Sequence, residues 1–282
     1  MQLRDLIKYG SDTLQEAGIQ EYTSDAKLLA MHVLGYDYTG LLMHMYDEIS
    51  VDDEEVYKDV VLLRTSHYPC QYIVGSQDFM GYTFKVEEEV LIPRPETEIL
   101  VETSLELTRD FTDCRALDMC CGTGCIGISY YLKRKEDGFD KDEVTLVDIS
   151  KKAIMLSEEN MFNLGAKCDI IESDLFENID SKFDLIMSNP PYIPTSDIEE
   201  IMEDVREYEP RLALDGMDDG LYFYKEIIDK SKKYLDSEGY LVFEIGYNQY
   251  EDIRKILHEA GFYQVSVKKD YAGLDRVVVA RR

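Results

Sequence analysis

The residues best suited to chemistry are Asn189-Pro190-Pro191-Tyr192, which follow an apolar run from Phe183 to Ser188. The run reads as a short strand. Two consecutive prolines have no N–H to give to a β-ladder, so they must end it. Proline also biases the preceding residue towards extended backbone, which holds Asn189 at the strand tip with its carboxamide aimed outward. That amide carries one acceptor oxygen and two donor hydrogens. Asn189 and the Pro190 carbonyl can together accept both hydrogens of a planar NH2 group, while Tyr192 lies against its flat face. The group gripped would be an amide or an exocyclic amine. The plain alternative is a proline-rich loop after a buried strand.

Three other strand ends carry polar groups in the same way. Residues 115–119 read as a strand followed by the tight turn Cys120-Cys121-Gly122-Thr123-Gly124-Cys125, with Asp118 just before it. Residues 144–148 form a second strand ending in Asp148, and residues 169–174 a third ending in Asp174. In doubly wound sheets, ligands bind outside the carboxyl ends of the strands. Gly122 and Gly124 let backbone approach a ligand closely. Asp148 is placed to take both hydroxyls of a ribose, and Asp174 to accept from an adenine amino group. The turn is not a Gly-x-Gly-x-x-Gly dinucleotide fingerprint, and Asp148 lies 30 residues after Asp118. A cofactor without a pyrophosphate is therefore favoured. S-adenosylmethionine fits, because its sulfonium suits an acidic pocket.

The elements that must position these tips follow from pattern. Residues 1–70 read as helices, the second capped by Ser24 and ended by Gly35. Residues 71–92 read as an irregular hairpin, with strands at Tyr72-Ile73-Val74-Gly75 and at residues 82–86 and with Gly81 near the turn. The stiff segment Pro93-Arg94-Pro95 then leads into a helix starting near Thr97. It is either a substrate or cofactor wall or a plain interdomain loop. From residue 115 onwards, strands and helices alternate, which predicts a parallel doubly wound sheet. Residues 195–220 read as a long acidic loop region. Residues 240–245 form a fifth strand, and 263–268 and 276–280 a sixth and seventh. That last pair leaves no room for a crossover helix and should be antiparallel.

Composition narrows the partners. The chain has 282 residues, 58 of them acidic and 30 basic, for a net charge of −28. Nucleic-acid binders carry a basic face for phosphate contacts, so a protein or small-molecule substrate is expected, with no direct nucleic-acid contact. No run of eighteen apolar residues predicts a membrane span. The first residues already read as an amphipathic helix rather than a signal peptide, which points to the cytoplasm. The six cysteines include no Cys-x-x-Cys, and the four histidines are scattered. No metal site is expected. The cysteines read instead as small buried thiols.

Taken in order, these segments resemble the HemK/PrmC family, the N5-glutamine methyltransferases of peptide chain release factors. The resemblance runs over nearly the whole chain. It is carried by Leu91-Ile92-Pro93-Arg94-Pro95-Glu96-Thr97-Glu98, Asp118 with Gly122-Thr123-Gly124, Val147-Asp148-Ile149-Ser150, Asp174-Leu175-Phe176, Asn189-Pro190-Pro191-Tyr192, Glu209-Pro210, Asp219-Gly220-Leu221 and Glu244-Ile245-Gly246. One departure stands out. Cys120 and Cys121 occupy the positions where the family turn has Gly and Thr. The resemblance implies a helical substrate-recognition domain (1–70), a β-hairpin linker (71–92) and a class I methyltransferase domain (93–282) whose seven-stranded sheet has an antiparallel last strand. It implies S-adenosylmethionine as donor, S-adenosylhomocysteine as product, and the glutamine of the release-factor Gly-Gly-Gln loop as acceptor. Asn189, Pro190 and Tyr192 would be catalytic. Asp118, Gly122, Gly124, Asp148, Asp174 and Asn189 would hold the cofactor. Asn189, Pro190, Pro191, Tyr192 and Arg94 would hold the substrate. A monomer is expected. The same motifs also admit a glutamine in a ribosomal protein, and Asn-Pro-Pro-Tyr alone is shared with adenine-N6 methyltransferases.

Overall fold

A computed structural model of the chain describes residues 1–282 and divides them into two compact units. The first comprises Met1–Ser76 with Met202–Tyr208, and the second Gln77–Ile201 with Glu209–Arg282.

The first unit is helical: α1 (Leu3–Glu16), α2 (Tyr22–Leu34), α3 (Tyr38–Met43), α4 (Val51–Arg64) and α5 (Cys70–Val74). Their apolar faces enclose Leu3, Leu6, Leu14, Ala26, Leu29, Tyr57 and Val61. Gly35 ends α2 in the left-handed conformation, as a C-terminal glycine should. Ser24 does not start that helix. It lies inside the first turn, which begins at Tyr22. Ser50 does cap α4, accepting from the Asp53 N–H at 3.1 Å. The buried Arg64 donates to Asp25 at 2.8 Å and reaches Asp204 at 3.5 Å. Tyr208 donates to the Ser66 carbonyl at 2.8 Å. Through these bonds the remote segment Met202–Tyr208 belongs to this unit.

Tyr72-Ile73-Val74-Gly75 is not a strand. Pro69 stands just before α5, the Ile73 N–H donates to the Pro69 carbonyl, and Gly75 closes the turn with φ 77°. These local bonds outweigh the strand preference of so short a run. The hairpin lies one step later, as β1 (Ser76–Phe79) and β2 (Tyr82–Lys85), with Gly81 in its turn.

The second unit continues with α6 (Glu98–Leu107), β3 (Arg115–Met119), α7 (Cys125–Glu136), β4 (Glu143–Asp148), α8 (Lys151–Leu164), β5 (Asp169–Glu172) and β6 (Phe183–Ser188). The region expected as an acidic loop contains a 3-10 turn (Thr195–Glu200), then α9 (Glu203–Tyr208), which belongs to the first unit, and α10 (Arg211–Leu214). Then follow α11 (Tyr222–Tyr234), β7 (Leu235–Glu244), α12 (Tyr250–Glu259), β8 (Tyr263–Lys269) and β9 (Asp275–Arg281). Seven strands form one sheet in the order β5-β4-β3-β6-β7-β9-β8. Those from β5 to β7 are parallel, and β9 runs antiparallel to both β7 and β8, as expected for the final pair.

Alternation along the central strands builds the layers. Leu117, Met119 and Ile186 face one core with Tyr224, Ile227 and Ile228 of α11 and Ile253 and Leu257 of α12. Ala116, Leu185 and Met187 face the other, with Leu100 of α6 and Ile126 and Tyr130 of α7. With both faces covered, these strands can be almost wholly apolar.

The far end of β3 from its tip is anchored by charge. Arg134 is buried at the end of α7 and donates to the Asp142 carboxylate at 2.5 Å and to the carbonyls of Thr108 and Phe111 at 2.7 and 2.6 Å. The other Asp142 oxygen accepts from the Cys114 N–H at 2.9 Å, just before β3. Arg134→Ala would strand the Asp142 charge in the interior. The expected loss is about 3–5 kcal/mol of stability in the second unit, measured by urea denaturation. Asp142→Ala together with Arg134→Ala should recover part of it, because no lone charge then remains.

Candidate active site

Strand order brings the two principal motifs together. β4 and β6 flank β3 on opposite sides, so the chain reverses direction of build-out at β3, where a crevice opens at the strand ends. Met119 is paired with Ser188 and with Val147. The turn that starts at Cys120 and the tip that starts at Asn189 therefore leave the sheet side by side. The Ser188 hydroxyl donates to the Met119 carbonyl at 2.7 Å and ties the two exits together.

The turn is tightly wound. Cys120, Gly122 and Gly124 have φ of 64°, 56° and 78°. Cys120 thus keeps a left-handed backbone that glycine adopts without strain. Gly124 is favoured by its φ, and a Cβ there would also crowd the Ile128 methyl at 2.7 Å and the Ser157 hydroxyl at 3.0 Å. The Cys121 N–H donates to the Val147 carbonyl at 3.0 Å and the Gly122 N–H to the Asp148 carboxylate at 2.9 Å. The second Asp148 oxygen accepts from the Ser150 N–H at 2.9 Å. Each oxygen retains a lone pair for a ligand. Burial pushes the Asp148 carboxyl above its ordinary range, against the pull of its backbone donors.

A cavity of about 290 Å³ opens against these elements, at the lower end of the small-ligand range. Arg94, Gly122, Asp148, Asp174, Asn189 and Pro191 all stand in its wall. So do Cys120, Cys121 and Cys125, none of them disulfide-bonded. Burial pushes the Cys125 thiol up to about 12 and raises Cys120 and Cys121 as well, so all three are neutral apolar lining. Arg94 is half-buried and bonded to the buried Glu209, whose other oxygen accepts from the Ile92 N–H at 3.2 Å. Asp118, Gly124, Pro190 and Tyr192 are not part of the wall. Asp118 lies beneath it, fully buried, and accepts from the Gly127 N–H at 2.8 Å. It thereby holds the start of α7 to β3.

The Asn189 tip is braced by residues to which pattern assigned no role. Thr97 donates to Glu244 at 2.5 Å, and the Asn189 amide nitrogen approaches the same hydroxyl at 3.5 Å. The Tyr192 hydroxyl donates to the other Glu244 oxygen at 3.3 Å. Gln249 donates to the Tyr192 and Gly220 carbonyls at 3.0 and 3.2 Å and accepts from the Gly246 N–H at 2.9 Å. A Cβ at Gly220 would come within 2.4 Å of the Tyr192 carbonyl, so that position must be bare. Thr97 and Glu244 are 147 residues apart. The signal for them was their presence in the Pro-Arg-Pro-Glu-Thr-Glu and Glu-Ile-Gly segments, without any hint that the two segments meet.

Comparison with known proteins gives a consistent result. Residues 5–75 match the family model of the PrmC N-terminal domain, and residues 95–208 that of the methyltransferase small domain. A release factor glutamine methyltransferase of Clostridium botulinum is 42% identical over 100% of both chains. One of Fusobacterium nucleatum is 40% identical over 99% of this chain and 78% of its own. Among solved structures, the 16S rRNA N2 G1207 methyltransferase of T. thermophilus, in complex with AdoMet and guanosine, is similar with a TM-score of 0.53. It is 17% identical over 73% of this chain and 49% of that one, a likeness of fold.

Asp118 gives a stability test of its buried position. Burial, opposed by the Gly127 donor and aided by the Asp148 charge, pushes its carboxyl up to about 7. Between its ordinary 3.8 and that value the folded protein keeps a proton that the unfolded chain has lost. The stabilisation is full below the ordinary value, declines as pH rises towards 7 and is level above it. Urea denaturation at pH 5 and pH 7.5 should show this decline, on the order of 1–3 kcal/mol, in the parent protein. It should be smaller in Asp118→Asn, whose amide oxygen still accepts from Gly127, and the part that remains belongs to other carboxyls raised by burial, such as Asp148 and Glu244.

Proposed function

The chain belongs to the release factor glutamine methyltransferase family, and on that footing we propose how its own residues perform the transfer. It is an S-adenosylmethionine-dependent protein-glutamine methyltransferase whose substrate is a peptide chain release factor. The observation that carries the assignment of roles is the register of β3 against β6, which sets the Gly122–Gly124 turn next to Asn189.

The wall fits the cofactor. The turn offers bare backbone at Gly122, where a Cβ would meet nothing closer than 3.9 Å. Asp148 presents two oxygens already oriented by backbone donors, suited to a pair of ribose hydroxyls. Asp174 is exposed at the next tip and suits an adenine amino group. Asp118 and Gly124 serve this site from beneath, by shaping the turn. S-adenosylmethionine, when bound, supplies an electrophilic methyl group on a sulfonium and leaves as S-adenosylhomocysteine.

A glutamine amide nitrogen is a weak nucleophile, since its lone pair is delocalised into the carbonyl. Asn189 Oδ1 and the Pro190 carbonyl accept its two N–H bonds and turn the nitrogen towards the methyl group. Positioning of this kind is worth up to roughly 7–11 kcal/mol. The same two acceptors stabilise the positive charge that grows on the nitrogen as the new N–C bond forms. The methylated nitrogen then loses one of its two protons to bulk solvent, which leaves the neutral N5-methyl amide. Tyr192 packs at the amide plane, Pro191 shapes the entry, and Arg94, braced by Glu209, forms the wall along which the peptide runs.

The helical region from residue 1 through α5 is assigned to recognition of the release factor, the hairpin and the residues up to 92 to the link, and residues 93–282 to the transfer. One chain carries every residue named, so a monomer suffices. With a charge of −28, the protein reads its substrate without direct nucleic-acid contact. The free thiols suit the cytoplasm, and no helix is long and apolar enough to cross a membrane.

The test is transfer of a labelled methyl group from S-adenosylmethionine to a purified release factor, with a ribosomal protein fraction and DNA as competitors. Label is expected on the glutamine of the Gly-Gly-Gln loop. Label on DNA or a ribosomal protein, with the release factor untouched, would overturn the reading. Asn189→Ala should lower kcat by about 100-fold or more while retaining cofactor affinity by calorimetry.

A further inference from the structure

We propose that Glu244 and Thr97 form a polarity relay that sets which end of the Asn189 carboxamide faces the acceptor nitrogen. This rests on the reading that Asn189 accepts a hydrogen bond from an NH2 group. A carboxamide is nearly symmetric in shape but opposite in polarity at its two ends. With Oδ1 towards the substrate, Asn189 accepts from the amide. With Nδ2 towards it, two donors oppose each other and the grip fails. Something must choose, and Asn189 has no internal means to do so.

The choice is made by a single hydrogen. Thr97 and Glu244 are both 2% exposed. The Thr97 hydroxyl has one proton, and at 2.5 Å it is given to Glu244 Oε2. Only the lone pairs of Thr97 then face Asn189, so the group that approaches them, at 3.5 Å, must be a donor, Nδ2. Oδ1 is left for the substrate. The same carboxylate accepts from Tyr192 through Oε1 at 3.3 Å. One buried group therefore orients both polar side chains of the tip.

The relay depends on Glu244 being ionised. Its surroundings are Thr97 and Glu96 before α6, Tyr192 after β6, Tyr224 on α11, Arg276 on β9 and Cys125 on α7. Burial raises its carboxyl above the ordinary range, while Thr97, Arg276 and Tyr192 pull it back and Glu96 raises it. A protonated Glu244 would give its own proton to Thr97. The Thr97 hydrogen would then point at Asn189 and draw Oδ1 away from the substrate. Transfer should therefore fall as pH drops through the Glu244 titration, and the hydroxyl of Thr97 should be needed for that dependence. Glu244 and Thr97 are positioning residues, since they act through Asn189.

The experiment uses the full chain with S-adenosylmethionine and a release factor. Thr97→Val keeps the shape and removes the hydrogen. It is expected to lower kcat by about 10- to 100-fold, with both KM values and S-adenosylhomocysteine affinity within about twofold. It should also flatten the acid limb of the kcat–pH profile. Thr97→Ser restores the hydroxyl and should restore both kcat and the acid limb. A second readout needs no turnover. In the S-adenosylhomocysteine complex, the Asn189 side-chain 15N resonance should titrate with the carboxyl in the parent protein and in Thr97→Ser, but not in Thr97→Val. Parent-like kcat in Thr97→Val, or an Asn189 signal that titrates without the hydroxyl, overturns the relay. Failure of the parent protein to methylate the release factor overturns the substrate assignment instead, and the resonance experiment still decides the relay.

Discussion

The site depends on a carboxylate held where a carboxylate is costly. Glu244 lies at the end of β7, 2% exposed, in a sheet covered on both faces. Burying such a charge costs several kcal/mol unless it is well bonded. Thr97 and Tyr192 donate to its two oxygens, and the Arg276 charge acts on it from β9. Arg276 is itself held by Asp270 at 3.1 Å and by the Ile245 carbonyl at 3.3 Å. Asn189, Thr97, Glu244 and Tyr192 thus form one hydrogen-bonded cluster behind the tip, with the Arg276 charge acting on it. Such networks are valuable when complete and costly when broken. The cluster braces a loop as irregular as Asn-Pro-Pro-Tyr, two of whose residues cannot donate backbone hydrogen bonds, at both Asn189 and Tyr192.

Backbone packing completes what the network begins. The Tyr192 carbonyl is pressed against Gly220 and held by Gln249, and the Ile193 N–H and carbonyl bond to the Leu214 carbonyl and the Gly216 N–H. The segment after the tip is therefore a small ladder folded back on α10 rather than a free loop. On the cofactor side the same logic applies to the turn after β3. Cys120 accepts a left-handed backbone at a cost of order 1–2 kcal/mol, and the neighbouring bonds from Cys121 and Gly122 hold it there. Cys120 also stands in the wall of the cavity, where its thiol is neutral.

Features carried by local pattern were legible in the sequence. The strands at residues 115–119 and 183–188 appear with those bounds, because a buried parallel strand is a short apolar run stopped by a Gly turn or by proline. Ser150 caps α8 as its position suggests, accepting from the Ala153 N–H. Where local signals conflicted, the reading failed. Tyr72-Ile73-Val74 has strand-forming side chains, yet Pro69 and Gly75 close a helical turn around it. Residues 195–220 look like acidic coil, and their short helices are specified by contacts such as Asp204 with Arg64, distant in sequence. Within the site, Asp118 was grouped with acids that face a ligand. It pairs with Leu146, two residues before Asp148, and its carboxylate is buried against the start of α7. The pairing of Thr97 with Glu244 was invisible for the simplest reason, since nothing local links a residue before α6 to the end of β7.

The grip itself does not identify glutamine. The grip proposed for it, two acceptors with Tyr192 beside them, would fit any planar NH2 group, an adenine amino group included. What the acceptors do require is a donor on both sides of one nitrogen and no carbonyl directed at Asn189. An amide presented backwards, with its oxygen at Oδ1, would meet repulsion. The tip therefore discriminates between the two ends of an amide, and does so only while the polarity of Asn189 is fixed from behind. Choice between an amide and a base must come from what is attached to the nitrogen. The polarity of the tip is thus set from behind, by the few buried hydrogen bonds that join Asn189, Thr97, Glu244 and Tyr192.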